Sequence, residues 1–387
     1  MKILITSMFY KKSYGQGLCA EKLAEFLARK RHKVTVFHGE KNSFKGKKNL
    51  KIERIKSSRI KGLDFFSFAL NLKQRLIKEK EFDVFYPQDY TFGLVDFSRL
   101  NFPVIYHARG TVKGNAENRP KTRIKTELMR KIAIPLMAEM DKKCCEKAKT
   151  IIAASKTIKK EIKNYYKIPD KKIRIVSDGV DLKKFSKNTE TKRKAEKLKK
   201  KLRLQNKKII LFAGRLVPQK GIIYLVKAMP KVIKEIPQAF LLIAGENTQE
   251  NHKKVIEEEI AVQGIQKHVK FQGYVEQKKM PEVIQLSDLI ASPSTYEPIG
   301  IINIEAIALG KPIVYSKNIG SVEVLKNSGI AVNPRKPQKI SAAITKILSS
   351  KKLYKKFSNT GRKNAAKVEW NKIGSQIEKI LMKSKEN

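Results

Sequence analysis

Short apolar runs alternate with segments of helical spacing, and the alternation happens twice along this chain. The first set runs through Ile3–Thr6, Val34–Phe37, Val84–Tyr86, Val104–Tyr106 and Ile151–Ser155. The second starts at Ile209–Ala213 and recurs at 240–244, 269–271, 289–292, 313–316 and 330–332. Unbroken apolar runs, as opposed to alternating ones, are what strands buried on both faces require. Strand and helix in turn predict parallel sheets covered by helices. Two such sets predict an α/β chain of two doubly wound sheets with a cleft between them. Ligands would bind at the strands' carboxyl ends.

Residues 187–208 separate the sets and hold eleven Lys or Arg against two Glu, which predicts an exposed linker helix. The expected organisation is a first domain over 1–185, a basic linker over 186–208, a second domain over 209–366 and a C-terminal helix over 367–387. The first domain includes a long basic helical region, 121–149, that Pro135 should kink or split.

At 387 residues both domains are long enough for a core, and 41% hydrophobic content excludes an unfolded chain. No apolar run approaches the ~18 residues that span a bilayer. Met1–Tyr10 is too short in apolar length for a secretory signal and reads as a first buried strand. Three cysteines, two of them adjacent at Cys144 and Cys145, offer neither a disulfide framework nor a metal spacing and fit a reducing cytoplasm.

Lys and Arg number 84 against 36 Asp and Glu, a net charge of +48. That surplus attracts polyanions, either nucleic acid or an anionic membrane face. The lysines are spread along the whole chain, which a generally lysine-rich surface would also give. No zinc finger, RNP pattern or KH loop is present, so nucleic acid is not expected. Residues 59–80 combine basic and aromatic side chains at near-helical spacing. They fit a core helix docking Phe65, Phe68 and Leu72, or a membrane-surface helix.

The chemistry concentrates in Ser294–Pro312, S-T-Y-E-P-I-G-I-I-N-I-E-A-I-A-L-G-K-P. Glu297-Pro298 signals a turn, and Gly300 permits close backbone approach. From Ile301 a buried helix should run until Gly310-Lys311-Pro312. Glu297 then precedes the helix, Glu305 lies about one turn in, and the first-turn amides make an anion site. Arg215 and Lys220 fall in a second strand-to-helix loop, where a planar fork and a mobile point charge suit phosphate. Gly15 and Gly17 open the helix after the first strand. His107 ends the run Val104-Ile105-Tyr106, where α/β folds bind ligands.

E-P-x-G-I-x-x-x-E-A, at Glu297, Pro298, Gly300, Glu305 and Ala306, resembles the Glu-x7-Glu signature of family 4 retaining glycosyltransferases, which have the GT-B fold. Ile299 replaces the usual Phe or Cys at a packing position. Gly214-Arg215-Leu216-Val217 with Lys220-Gly221 resembles that family's diphosphate clamp. Gly15 and Gly17 resemble its G-G-x-G loop, with Tyr14 for the first glycine, and Arg31 replaces the glycine before His32. His107 resembles the histidine beside the reacting sugar. Lys172–Phe185 resembles the close of the first domain; Asp178 replaces the usual Asn and should tolerate a left-handed turn before Gly179. Gly273-Tyr274-Val275 resembles the segment lining the nucleobase. Gly320 with Glu323 resembles G-G-x-x-E, with Ile319 for the first glycine, and Ser328–Pro334 resembles T-G-x-L-V-x-P.

The resemblance implies two Rossmann-like domains facing across a cleft, with the C-terminal helix, Trp370 through Leu381, returning to the first. It implies a retaining hexosyltransferase moving a sugar from a nucleotide-diphosphate donor to a glycan, lipid or lipid-linked acceptor in cell-surface glycan synthesis. The enzyme would be cytoplasmic, or peripheral on the inner membrane face. His107, Glu297, Arg215 and Lys220 would be catalytic. Gly15, Gly17, Gly214, Tyr274, Gly300, Ile301 and Glu305 would join Arg215, Lys220 and Glu297 in donor binding. No D-x-D occurs, so neither a metal nor another cofactor is expected. Two other readings are a basic nucleic-acid- or membrane-binding protein on a degenerate scaffold and a GT-B sugar-nucleotide epimerase.

Overall fold

The apolar runs pair in parallel. The computed structural model describes residues 1–10, 15–42, 44–58, 60, 63–79, 81–118, 124–247 and 252–386. Two units divide the chain: one comprises Met1–Glu117, Lys121–Asp178 and Trp370–Asn387, and the other is built on Gly179–Glu369.

The first unit holds β1 (Lys2–Ser7), β2 (Lys33–His38), β3 (Leu50–Arg54), β4 (Val84–Pro87), β5 (Ile105–Ala108), β6 (Thr150–Ala153) and β7 (Ile173–Ile175). A four-stranded sheet runs β3-β2-β1-β4 and a three-stranded one β5-β6-β7, every pairing parallel. A parallel bridge from Phe85 to Val104 connects them. Ile3, Leu4 and Ile5 have no exposed surface, as burial on both faces demands.

The second unit holds β8 (Lys208–Ala213), β9 (Ala239–Ala244), β10 (Val269–Gly273), β11 (Leu289–Ser292), β12 (Ile313–Ser316) and β13 (Gly329–Val332). They form one parallel sheet in the order β10-β9-β8-β11-β12-β13. Its core packs Ile210, Phe212, Leu241 and Ile243 against Leu225, Met229 and Val232 from the helix Ile222–Glu235 and Ile340 and Ile344 from Pro337–Leu348.

The division differs from the sequence expectation. It falls at Asp178/Gly179 instead of after residue 185, because Val180 N donates to Val368 O at 2.9 Å and Phe185 is buried within the second unit. The basic segment is no free linker. Its helix Thr189–Lys201 starts on an Asn188 cap, whose side chain accepts from Thr191 N at 2.7 Å, and it buries Ala195 within that unit. Ala195, Leu198 and Leu202 form an apolar stripe that the charge count conceals. β3 escapes the sequence reading because polar Lys51 and Glu53 interrupt an edge strand. The helix Ile124–Lys147 continues through Pro135, so of the kink or split expected there it is not split.

The closing helix starts at Trp370, as expected, and runs past Leu381 to Glu386. It belongs to the first unit. Glu378 meets His32 at 2.8 Å, Lys385 meets Asp83 at 3.0 Å, and Lys149 Nζ donates to Ser384 O at 3.0 Å. A Cβ on Gly374 would lie 2.5 Å from the Phe26 ring, so the missing side chain sets how closely the helix approaches Gln16–Arg29.

The basic-aromatic stretch contains the helix Asp64–Leu76; its Arg59, Lys61, Gly62 and Lys80 lie outside the described residues. Phe68, Ala69, Leu72 and Leu76 are buried, and Phe65 stacks on Tyr90 with ring centroids 4.9 Å apart. The core reading therefore holds for one face. The opposite face leaves Leu63, Leu70 and Ile77 exposed beside Lys73 and Lys78.

Candidate active site

In the second unit the strand order reverses between β8 and β11, which pair through Leu289–Ile210 and Ile290–Leu211. Carboxyl ends beside such a reversal are where open parallel sheets bind ligands. Gly214, Arg215 and the turn Pro218–Lys220 follow β8. Glu297, Gly300 and the helix Ile301–Ala308 follow β11. Gly221, at φ +68°, turns the first loop into its helix, and a Cβ there would lie 1.9 Å from Pro293 O. Only glycine lets the two loops meet. Thr295 N then donates to Gln219 O at 2.8 Å.

Within this junction Lys220 Nζ donates to Glu297 Oε2 in a largely buried ion pair. Gly214 borders the lysine stem, since a Cβ there would sit 3.7 Å from Lys220 Cε. Gly320 N donates to Glu297 O at 2.8 Å and fixes the glutamate's backbone. Gly300 caps the helix in a left-handed conformation, φ +80° and ψ +58°. Asn303 N donates to Gly300 O at 3.0 Å, which leaves the amides of Ile301 and Ile302 at the helix start to favour an anion. Arg215 is exposed on the same loop as Lys220.

Glu305 lies four residues into that helix in a different environment. It is 4% exposed and accepts from Gln277 Nε2 at 2.6 Å. Burial pushes its carboxyl up to about 7, opposed by the Gln277 bond and the charge of Lys184. Among the described residues no hydrogen bond links Glu305 to Glu297. Asn303 beside it has no exposed surface and neither amide atom paired; the hydroxyls of Ser294 and Ser321 are likewise buried and unpaired. Such atoms cost about 1–3 kcal/mol each, and their clustering at the helix start suits a bound polar ligand. Tyr274 is half exposed after Gly273, whose φ is +74°.

In the first unit the reversal falls between β1 and β4. Gly15, at φ +67°, caps the helix Gln16–Arg29, and Gly17 is buried in its first turn; Tyr14 lies outside the described residues. Gln16 Nε2 donates to Gln88 O at 2.6 Å, tying this loop to the end of β4. His107, on β5, has no exposed surface. Its Nδ1 lies 2.6 Å from the Tyr86 hydroxyl and 3.3 Å from Arg109 Nη2, while Nε2 has no partner. Burial first, then the Arg109 charge, holds its pKa well below the usual histidine value. Arg109 is anchored by Asp178, with Nε to Oδ1 at 3.0 Å, and by Gln88 Oε1 at 2.5 Å. Asp178 therefore serves as a buried counter-ion. It is absent from the positive-φ residues, which corrects the left-handed turn expected there.

Of the residues singled out from sequence, Gly214, Lys220, Glu297, Gly300 and Ile301 gather at one junction of the second unit. Arg215 shares its loop and Glu305 its helix, whereas Tyr274 stands after β10. Gly15, Gly17 and His107 belong to the first unit. Gln277, Asn303, Arg109, Asp178 and Tyr86 went unrecognised as site residues. Gln277 is 28 positions from Glu305 and carries no spacing signal. Arg109 is one of 84 basic residues.

Comparison with known proteins agrees in both halves. The model for Glycosyltransferase Family 4 matches residues 14–184, and that for Glycosyl transferases group 1 matches residues 193–364. An uncharacterized glycosyltransferase of Methanocaldococcus jannaschii is 32% identical over 240 residues, 60% of this chain and 60% of that protein. A GDP-mannose-dependent monoacylated α-(1-6)-phosphatidylinositol monomannoside mannosyltransferase of Corynebacterium glutamicum is 30% identical over 213 residues, 52% of this chain and 54% of that one. The matched stretch thus spans less than two thirds of either relative. Among solved structures, Anabaena Alr3699/HepE in complex with UDP and glucose superposes with a TM-score of 0.79 at 20% identity, covering 99% of this chain and all 100% of that one. Sucrose-phosphate synthase from Thermosynechococcus elongatus gives 0.80 at 21% identity, covering 99% and 98%. The fold is GT-B.

The Glu305 carboxyl yields a stability prediction. Folded, it keeps its proton up to about pH 7; unfolded, only to 4.5. Between those values the folded state binds more protons, so stability falls as pH rises through the window, by about 3 kcal/mol in total. Glu305→Gln removes this titration. The variant should match wild type near pH 4.5 and exceed it by a growing margin up to pH 8. Urea unfolding at pH 5 and 8 measures the two margins, and equal margins would contradict the burial argument.

Proposed function

Because this chain belongs to glycosyltransferase family 4, group 1, we propose that it is a retaining transferase that moves a sugar from a nucleotide-diphosphate donor to a glycan, lipid or lipid-linked acceptor, without a metal. The observation that carries this reading is the Lys220–Glu297 ion pair, set at a helix start whose next turn holds the buried Glu305. One junction thus offers a cation, free amides and two carboxylates in unlike surroundings.

The chemical difficulty is a leaving diphosphate that gains charge as the sugar carbon becomes cationic. Arg215, Lys220 and the amides at Gly300-Ile301 stabilise that charge, which helps only so far as it grows toward the transition state. Glu305 accepts from the ribose hydroxyls, and Glu297 from hydroxyls of the transferred sugar. His107 donates from Nε2 to a sugar oxygen. Gly15, Gly17 and Gly214 let backbone come close to the ligand, and Tyr274 lines the nucleobase. The acceptor oxygen bonds to the sugar carbon on the face the diphosphate leaves, and the departing phosphate oxygen takes the acceptor's proton.

A lipid-bearing acceptor is favoured by the outward stripe Leu63, Leu70 and Ile77 with its flanking Lys73 and Lys78, and by the net charge of +48. The corynebacterial relative, by its name, acts on a phosphatidylinositol mannoside.

The two carboxylates should separate in solution. Glu305→Ala should lower affinity for the nucleotide diphosphate by about 0.5–3 kcal/mol, the range from a neutral hydrogen bond to one with a charged group. Glu297→Ala should largely spare that affinity, since the diphosphate has no sugar to hold, yet should cripple transfer. Arg215→Lys should not restore what Arg215→Ala loses, because a point charge cannot replace a fork. Calorimetry beside turnover distinguishes these outcomes. Equal affinity losses from the two alanine variants would overturn the division of roles.

Turnover should also survive EDTA, since Arg215 and Lys220 stand where a metal would otherwise neutralise the diphosphate. Loss of activity on chelation, restored by Mg²⁺ or Mn²⁺, would refute that assignment.

Finally, the protein should sediment with anionic vesicles and less with neutral ones, in a salt-sensitive way. Leu63→Glu with Leu70→Glu should weaken this. Equal partitioning onto both vesicle types would remove the membrane reading.

A further inference from the structure

His107 keeps one buried nitrogen without a partner, and the cause lies at the other nitrogen. Arg109 Nη2 is 3.3 Å from Nδ1, and a guanidinium only donates. Nδ1 must therefore be bare. The Tyr86 hydroxyl, 2.6 Å from the same atom, is a second donor to it. A neutral imidazole with Nδ1 bare carries its proton on Nε2, the nitrogen that has no partner. Arg109 cannot turn away, because Asp178 holds its Nε at 3.0 Å and Gln88 holds Nη1 at 2.5 Å. All of these groups lie within the first unit, and their side chains are buried.

We propose that Arg109 is a positioning residue that locks His107 as its Nε2–H tautomer, so that the histidine meets its ligand only as a hydrogen-bond donor. Two consequences follow for the ligand. The atom facing His107 is an oxygen with a free lone pair, such as a sugar hydroxyl. An ammonium group is excluded there, because it has no lone pair to offer and the Arg109 cation stands behind the ring. The inference rests on the reading above in which His107 contacts the transferred sugar. The lock itself is a property of the ligand-free chain.

The experiment is long-range ¹H–¹⁵N correlation on the full chain labelled at its 5 histidines, with His107→Gln identifying the signal. Wild type should show Nδ1 bare and Nε2 protonated from pH 6 to 8. Tyr86→Phe should leave that pattern unchanged, since Arg109 remains. Arg109→Gln should mix the two tautomers and lower kcat by roughly tenfold or more, the scale of losing one oriented donor, with little change in donor KM. If Arg109→Gln does not fold, Asp178→Asn, which loosens the arginine at equal size, should give the same mixing in weaker form. A wild-type proton on Nδ1 overturns the proposal. So does a tautomer that flips in Tyr86→Phe, or one that persists in both Arg109→Gln and Asp178→Asn. If the lock is observed but no sugar nucleotide supports transfer, the transferase reading fails and the lock stands.

Discussion

Parallel pairing is the constraint on which the rest depends. A parallel strand cannot return by a tight turn, so most crossovers carry a helix and the carboxyl ends emerge at one edge of the sheet. Each helix there begins with its unpaired amides at that edge. Where the order reverses, between β8 and β11 and between β1 and β4, neighbouring loops part and leave space. Gly221 and Gly300, both at positive φ, are how the sequence exploits the first of these reversals. One lets the two loops touch at Pro293; the other turns the chain into the helix that bears Glu305.

Much of this was legible because it is local. Apolar runs marked nearly every strand, and Gly300 with Gly310 bracketed the helix that bears Glu305. What escaped was long-range and polar. Gln277 meets Glu305, and Asp178 meets Arg109, across separations with no periodicity to betray them. Composition also misled. Eleven basic residues made 187–208 look like solvent-exposed linker, although Ala195 is buried and the helix is properly capped. Net charge describes a surface average, whereas three apolar residues at helical spacing suffice to dock a helix.

The site carboxylates show why position mattered more than residue type. Glu297 pairs with Lys220 in a largely buried ion pair, whereas Glu305 is buried with only an amide donor and its carboxyl is pushed up to about 7. Two like groups in unlike surroundings have two distinct tasks available to them. Asn303 and the serines at 294 and 321 extend the same logic, since they remain unsatisfied where a hydroxyl-rich ligand would complete them.

The excess of cations raises the question of which of them matter, and burial answers it better than number. Removing a cation from water requires a partner. Arg109 has Asp178. Lys311, its pKa lowered to about 8 by burial, has the carbonyls of Gln285 and Ser287 at 2.7 and 2.8 Å. Lys311 is committed to the fold, and Arg109 to the buried cluster that orients His107. Lys220 also has a partner, but its pair keeps some exposure, and Glu297 lies in the loop between β11 and the helix Ile301–Ala308 instead of in the core. A diphosphate can offer Lys220 a second anion while sugar hydroxyls donate to Glu297. Each member of the pair then trades its partner for a piece of one ligand. On the proposed reading, that exchange leaves neither charge without a partner once a ligand carrying phosphate and hydroxyls side by side is bound.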